Sequence, residues 1–295
     1  MEGVSRGGVG ETEIEERIRP AVEQSSIGDG VRVVLRRRLA WLVLVVSLLI
    51  IGTFLLSPPW TVLGKAEVIG YAICHQIPER SFHIAGQQLP LCARCTGIYM
   101  GALAGFVLMR LWGRQRAAAM PPTAVTLTLV GFIALMGVDG LNSYLTFFPG
   151  MPHLYEPQNW LRLTTGTLNG LALSAIVYPV LNYSLWRDAV QTPSVRGFKE
   201  LALMVAAGGI IIALTILELP PLLYPLAILS TLGVLLMLGS LNTMIVLVIA
   251  RREGVALSWR EVALPATVGL ALTFAEIGGM DTLRVIITRA AGLPF

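Results

Sequence analysis

Apolar residues collect in seven long runs along the chain, separated by short polar stretches rich in arginine. The runs cover residues 39–56, 96–112, 123–148, 163–186, 201–219, 222–250 and 262–279. Stretches of about 17–25 apolar residues are long enough to cross a bilayer as helices. The pattern predicts an all-α integral membrane protein with about seven transmembrane helices. Pro220-Pro221 marks a tight break between the fifth and sixth runs, and the sixth is long enough to tilt or bend near Pro225. Pro265 and Glu276 interrupt the seventh, which is expected either to span or to lie partly in the interface.

The first run follows Arg36, Arg37 and Arg38, a basic flank shared with secretory signal peptides. It is too long for a signal core, starts late and ends at Ser57-Pro58-Pro59-Trp60 without a small-x-small cleavage site. A retained signal-anchor helix is therefore expected. The residues before it, 1–35, read as a polar cytoplasmic tail that carries seven of the 18 acidic residues and is expected to be disordered. Residues 36–295 form the transmembrane domain, with no internal repeat.

Alternate connections differ in basic residues. Arg32, Arg36, Arg37, Arg38, Arg110, Arg114, Arg116, Arg187, Arg196, Lys199, Arg251, Arg252 and Arg260 fall on one side. Only Lys65, Arg80, Arg94, Arg162, Arg284 and Arg289 fall on the other. The excess of basic residues marks the cytoplasmic side, which puts the N-terminus inside and the C-terminus outside. The net charge of +4 has this origin, so no nucleic-acid partner is implied; the bilayer is the expected partner. Composition agrees: 55% of residues are apolar, only 14% are charged, and the mean hydropathy is +0.71.

Candidate chemistry is concentrated in one connection. Of three cysteines and three histidines, Cys74, His75, His83, Cys92 and Cys95 all lie between the first and second runs, in an outward Cys/His-rich loop over 74–95. Cys92-x-x-Cys95 brings two sulfurs onto one tetrahedral ion, and Cys74 with a histidine would complete a Cys₃His shell for zinc or another thiophilic metal. The same pair at a helix N-terminus would also suit a redox-active disulfide, with one thiol acidified by the helix dipole. An ordinary structural disulfide or free thiols is the third possibility, although three cysteines leave one over. Spacing alone does not rank His75 against His83, and His153 reads as a loop residue.

Asp139 lies inside the third run, where an ionised carboxylate costs roughly 2.5–3.5 kcal/mol on insertion scales and needs a partner. Arg162, at the outer start of the fourth run, is the expected partner, either as a buried ion pair that fixes packing or as part of a pocket for a substrate or ion. Gly97, Gly101 and Gly105, and Gly166 and Gly170, recur at four-residue spacing that lets helices approach closely. Glu218, Asn242 and Glu276 carry no specific expectation. There is no phosphate-binding loop, His-Glu-x-x-His helix or nucleophile elbow. No run contains a lysine for a retinal Schiff base, and Thr96 after Cys95 rules out a haem-attachment motif.

Cys74-His75-Gln76-Ile77-Pro78-Glu79-Arg80-Ser81, together with Cys92-Ala93-Arg94-Cys95-Thr96-Gly97-Ile98-Tyr99, resembles the DUF2085 family of prokaryotic membrane proteins. Asp139-Gly140, Asn159-Trp160-Leu161-Arg162 and Gly166 extend the resemblance, which spans roughly residues 71–170. It implies a multi-pass protein of the prokaryotic plasma membrane. It also implies that Cys74, His75, Cys92, Cys95, Asp139 and Arg162 form one unit, and it favours His75 as the fourth ligand. It implies no activity, so whether the chain is an enzyme stays open.

The leading expectation is an outward Cys/His metal site, structural or catalytic, held by Cys74, His75, Cys92 and Cys95. A polar pocket of Arg80, Arg94, Asp139 and Arg162 lies beside it. The alternative is a membrane thiol-disulfide oxidoreductase that uses Cys92 and Cys95, with Cys74 as exchange partner and Arg94 near a quinone. Its layout resembles quinone-linked disulfide enzymes, which generally carry a second cysteine pair. A transporter or channel routed past Asp139 and Arg162, with the cysteine loop as a lid, is the third reading.

Overall fold

The computed structural model describes residues 38–148 and 150–290, so the expectation for the N-terminal tail lies outside the described residues. Residues 1–46 form one unit, of which the described part is the start of the first helix; Ser47–Phe295 form the other. Among the described residues there are eight α-helices: α1 (Arg38–Leu56), α2 (Val62–Ile73), α3 (Ala93–Leu111), α4 (Thr123–Leu145), α5 (Asn159–Leu185), α6 (Phe198–Ile216), α7 (Leu223–Ile249) and α8 (Trp259–Ala290). Six are long and apolar enough to cross a membrane: α1, α4, α5, α6, α7 with its leading 3₁₀ turn, and α8. This is a multi-pass membrane protein.

Each of the seven apolar runs falls on a long helix. The second run is the exception to the span criterion, because α3 carries Arg94 in its first turn and Arg110 in its last. Two features depart from the run pattern. Helix α2, only 12 residues long, fills part of the first connection; Thr61 caps it by accepting from the Gly64 amide at 3.1 Å. Helix α8 is continuous through Pro265 and past Gly278-Gly279, beyond the expected end near 279. Its added turns lie along α2, where the Arg284 guanidinium donates to the carbonyls of Tyr71 and Cys74, each at 2.7 Å.

Burial follows membrane logic. Helix α5 is the least apolar of the six candidate spans and the most buried, while α1 is the most apolar and the least buried. A helix with Thr167, Asn169, Ser174 and Asn182 inside must be sheathed by protein rather than lipid. Its sheath is α3 on one side, with α4, α6 and α7 around it. The main core joins Ala102, Phe106 and Met109 of α3 to Leu171, Ala172, Ala175 and Tyr178 of α5. Leu129 of α4, Met204 of α6 and Met237 of α7 complete it.

Helices α3 and α5 meet backbone to backbone. A Cβ at Gly97 would collide with the Leu163 carbonyl oxygen, and one at Gly101 with that of Thr167. From the other side, a Cβ at Gly166 would strike the Arg94 carbonyl and one at Gly170 that of Ile98. The four-residue glycine spacing is thus a two-sided seam, and Gly233 extends it by admitting the Tyr99 carbonyl against α7.

The ends of the bundle are ordered by short pieces of sheet. At one end, β1 (His83–Ile84) and β2 (Gln87–Gln88) form an antiparallel hairpin whose turn residues, Ala85 and Gly86, both have positive φ. Ile84 anchors it in a cluster with Phe82, Leu89, Ala93, Met100, Leu163, Leu223 and Leu226. At the other end, β3 (Ala117–Ala119) pairs in parallel with β4 (Val190–Pro193), joining the α3–α4 and α5–α6 connections. Buried Arg114 secures that junction, donating to the Pro193 carbonyl at 2.8 Å and pairing with Glu200 at 2.5 Å.

Gly170→Ala is expected to lower the thermal midpoint of the detergent-solubilised protein, because overpacking a close contact costs about 1–3 kcal/mol. Gly131→Ala, where a Cβ on α4 meets nothing within 4 Å, serves as the control. It should be neutral or slightly stabilising, since alanine favours helix over glycine by up to ~1 kcal/mol.

Candidate thiolate and arginine site

The site is assembled where α2 ends and where α3 and α5 begin. Gly70 lets the last turn of α2 pass under the Pro90 carbonyl, which a Cβ would strike. Gln76, in a left-handed conformation at φ 50°, ties the strands of the loop together. Its side-chain amide donates to the carbonyls of Pro90 (2.7 Å) and Glu67 (3.0 Å), and its own carbonyl accepts from Gln88 at 2.8 Å. Arg284 holds the same turn from α8. These straps fix Cys74 at the C-terminus of α2, facing Cys92 at the N-cap of α3.

The sulfurs of Cys74, Cys92 and Cys95 all lie within 4.8 Å of one another. None of the three is in a disulfide, and Cys74 is buried. The Cys74 sulfur accepts backbone amides from Cys92 at 3.3 Å and from Gln76 at 3.5 Å. The thiols of Cys92 and Cys95 point at it as well and hold its pKa far below the ordinary thiol value, outweighing burial. Cys92 shifts the opposite way, because it keeps a proton to share with Cys74. Hydrogen bonding therefore favours the thiolate at Cys74 and the protonated thiol at its two neighbours.

A second cluster shares a wall with the first, since Arg94 stands between Cys92 and Cys95 in the first turn of α3. Its guanidinium forms an ion pair with buried Asp139 of α4. Nε donates to the carboxylate at 3.2 Å, and the terminal nitrogen also reaches the Asp139 carbonyl at 3.2 Å. The other Asp139 oxygen accepts from the Tyr155 hydroxyl at 2.9 Å, and Thr165 of α5 approaches at 3.4 Å. Tyr155 is brought there by Asn142, which accepts from the Leu154 amide and donates to the Tyr155 carbonyl at 2.9 Å. Burial and the carboxylate push the Tyr155 pKa up to about 12, so it remains a donor at any physiological pH.

Arg80 and Arg162 complete this cluster around Ser143 of α4. The Ser143 hydroxyl accepts from Arg94 at 3.1 Å and from Arg162 at 3.3 Å, and its carbonyl accepts from Arg80 at 3.2 Å. Arg162 also donates to Asn159 at 2.9 Å, while Arg80 lies over the Phe147 ring, 3.8 Å from its centroid. Burial, and then the nearby Arg94 charge, lower the Arg80 pKa.

Seven of the expected site residues are brought together: Cys74, Cys92, Cys95, Arg80, Arg94, Asp139 and Arg162. One expectation needs correction: the ion-pair partner of Asp139 is Arg94, not Arg162, which donates instead to Ser143 and Asn159. His75 has an exposed side chain and is not in the three-sulfur group; its carbonyl instead accepts from Arg284 at 3.3 Å. His83 is exposed, and His153 pairs with Glu156 at 2.8 Å. Ser143, Tyr155 and Arg284 were not anticipated, and Gln76 and Asn159 were named only as residues of the resembling motifs. Ser143 is one helical turn from Asp139, and Asn159 is three residues before Arg162, so helical spacing would have pointed to both. Nothing local signals Arg284, whose partners are more than 200 residues away in sequence.

Known proteins resemble this part of the chain. The family described as "Predicted membrane protein (DUF2085)" matches residues 74–176, from Cys74 itself to the middle of α5. An uncharacterised protein of Methanothermobacter thermautotrophicus is 40% identical over 84 residues, covering 27% of this chain and 76% of its own. One from Methanocaldococcus jannaschii is 30% identical over 152 residues, covering 48% of this chain and 91% of its own. No solved structure matches.

Replacing Asp139 with asparagine would leave Arg94 without its counter-charge and keep three guanidiniums together. Removing one partner of a buried pair costs about 3–5 kcal/mol; with Arg94 partly exposed, about 2–3 kcal/mol is expected. A lower thermal midpoint, with faster proteolysis of the loop over 74–95, would be the observation.

Proposed function

This chain belongs to the DUF2085 family of predicted membrane proteins, and on that premise we propose that it carries a thiolate metal centre at its outer face. The ligands are Cys74, Cys92 and Cys95, and the metal is zinc or another thiophilic ion. One observation carries the proposal: three sulfurs from two separate segments, none of them in a disulfide, lie within 4.8 Å of one another. Tetrahedral zinc with bonds of about 2.3 Å needs sulfurs about 3.8 Å apart, a small contraction from that spacing. Backbone amides directed at the Cys74 sulfur lower the cost of the ligating thiolate.

The fourth position falls to a solvent-derived or exogenous ligand, or to His75 after a turn of the exposed loop. Structural closure would need His75; an open position would permit Lewis-acid chemistry. In the topology that accompanies this proposal, α1 and α3 to α8 make seven crossings, with the N-terminus cytoplasmic and the C-terminus outside. Although α3 falls short on composition, its packing on α5 continues beyond the glycine seam through Phe106 and Met109. The basic connections that contain Arg114, Arg116, Arg187 and Arg196 gather at the end opposite the cysteines.

A second reading is favoured by the same thiol geometry. Cys74, as the acidic thiol, is within reach of both members of the Cys92–Cys95 pair, as thiol–disulfide exchange requires. The transporter reading is less well supported, since the Asp139 carboxylate is already held by Arg94, Tyr155 and Thr165.

Elemental mass spectrometry on full-length protein purified without chelators should find about one zinc or other thiophilic ion per chain. Cys92→Ser should lose it, and His75→Ala tests the fourth position: loss of metal makes the histidine a ligand, retention leaves the position open. A metal-free wild-type protein with one disulfide by thiol counting would overturn the metal centre in favour of the exchange reading.

A further inference from the structure

We propose that Arg80, Arg94 and Arg162 form a binding site for a phosphate group at the outer membrane face, either free or as a lipid headgroup. The proposal goes beyond the metal centre and does not require it.

Three guanidiniums converge on one neutral residue. Arg94 and Arg162 donate to the Ser143 hydroxyl, and Arg80 donates to its carbonyl. Against these three charges the structure sets one buried carboxylate, Asp139, which is occupied by Arg94. Arg162 is only 6% exposed, and its hydrogen bonds go to the neutral oxygens of Ser143 and Asn159. Among the described residues, no carboxylate is within ion-pair distance of Arg162 or Arg80, and the exposed Glu79 acts on Arg80 only from beyond that distance. The C-terminus of α4, capped by Arg80 at Ser143 and Thr146, supplies about half a negative charge. The N-termini of α3 and α5, which carry Arg94 and Arg162 in their first turns, add positive potential at the same place.

The balance leaves more than one positive charge without a partner, in a place where like charges repel strongly and burial is costly. A nine-tenths-buried arginine is not maintained by serine and asparagine alone; its geometry fits a group that brings negative oxygens. Guanidiniums bind phosphate through paired N–H donors, and a dianionic phosphate would match the excess of charge. Access is available, because Arg80 is half-buried and the Arg94 side chain is 21% exposed. The rival account is that the Cys74 thiolate cluster alone neutralises the arginines, and it predicts no affinity for phosphate.

The test uses the full chain in a neutral detergent. Thermal midpoints are measured with inorganic phosphate against chloride at matched ionic strength, and with added phosphatidylglycerol against phosphatidylcholine. Phosphate is expected to raise the midpoint in a saturable way. Arg162→Gln and Arg80→Gln should each weaken the apparent affinity about tenfold or more, the effect of losing one charge-assisted bond. Stabilisation by phosphatidylglycerol but not by inorganic phosphate, lost in the same variants, would identify a lipid headgroup as the source of the phosphate. If Arg162→Gln does not fold, the half-buried Arg80→Gln carries the test. No shift with either probe in the wild type, or a shift that persists in the variants, overturns the proposal. Metal content measured on the same samples separates the two proposals: metal-free protein that still binds phosphate refutes the metal centre and retains this site.

Discussion

The close contact of α3 with α5 is the constraint from which the rest of the site follows. Lipid tails are as apolar as leucine, so helices in a bilayer gain little from burying apolar surface and rely on packing and on hydrogen bonds. Gly97 and Gly101 on one helix, with Gly166 and Gly170 on the other, remove the side chains that would hold the backbones apart. The contact begins at the Arg94 carbonyl, one residue before Cys95. Two cysteines, Arg94, Arg162 and Thr165 are thereby gathered within the opening turns of two helices. A side chain at Gly166 would separate the arginines before it disturbed anything deeper in the bundle.

Charge explains why this end of the bundle needs so many straps. Asp139 lies inside a membrane helix, where a lone carboxylate would be costly. Its compensation comes from three different elements: Arg94 of α3, Thr165 of α5 and Tyr155 of the connection between α4 and α5. The same residues that neutralise Asp139 fix the height at which α3 and α5 begin, and so the height of the cysteine pair. On the far side of the cysteines, Arg284 performs a related task with neutral partners. It takes up carbonyls of Tyr71, Cys74 and His75 that the end of α2 would otherwise leave unpaired.

Much of the fold was legible in the sequence because spanning length acts locally. All seven apolar runs became helices, and the glycine spacings predicted the seam. Helix α2 was missed because its 12 residues give no spanning signal, and the end of α8 because Gly278-Gly279 reads as a stop. A Cβ at either glycine would meet nothing within 4 Å, and beyond them Arg284 ties the helix to the end of α2. Within the site, the residue types and their gathering were legible, but the pairing was not. Arg162 was assigned to Asp139 because α4 and α5 are consecutive, whereas Arg94 reaches it from α3 across a gap of 45 residues. His75 was favoured as a ligand by sequence resemblance, yet the turn that presents the Cys74 sulfur to the Gln76 amide leaves the adjacent imidazole on the outside.

The adjacency of thiols and arginines gives both clusters a common physical purpose. A three-thiolate metal centre with a divalent ion carries one net negative charge, which at a membrane face with few counter-ions needs cationic neighbours. Arg94 lies between Cys92 and Cys95 in sequence, but its guanidinium is committed to Asp139, so it orders the wall without discharging the cluster. Arg80 and Arg162 keep their charge available on the far side of that wall. An anionic group bound there would sit between the arginines and the solvent at this end of the bundle, close to the cysteines. Repulsion from the thiolates and attraction from the arginines would then set which anions enter and how they are oriented. The segment that matches the family begins at Cys74 and includes every residue of this arrangement except Arg284. Helices α6, α7 and α8 lie outside it and supply the packing and the Arg284 strap.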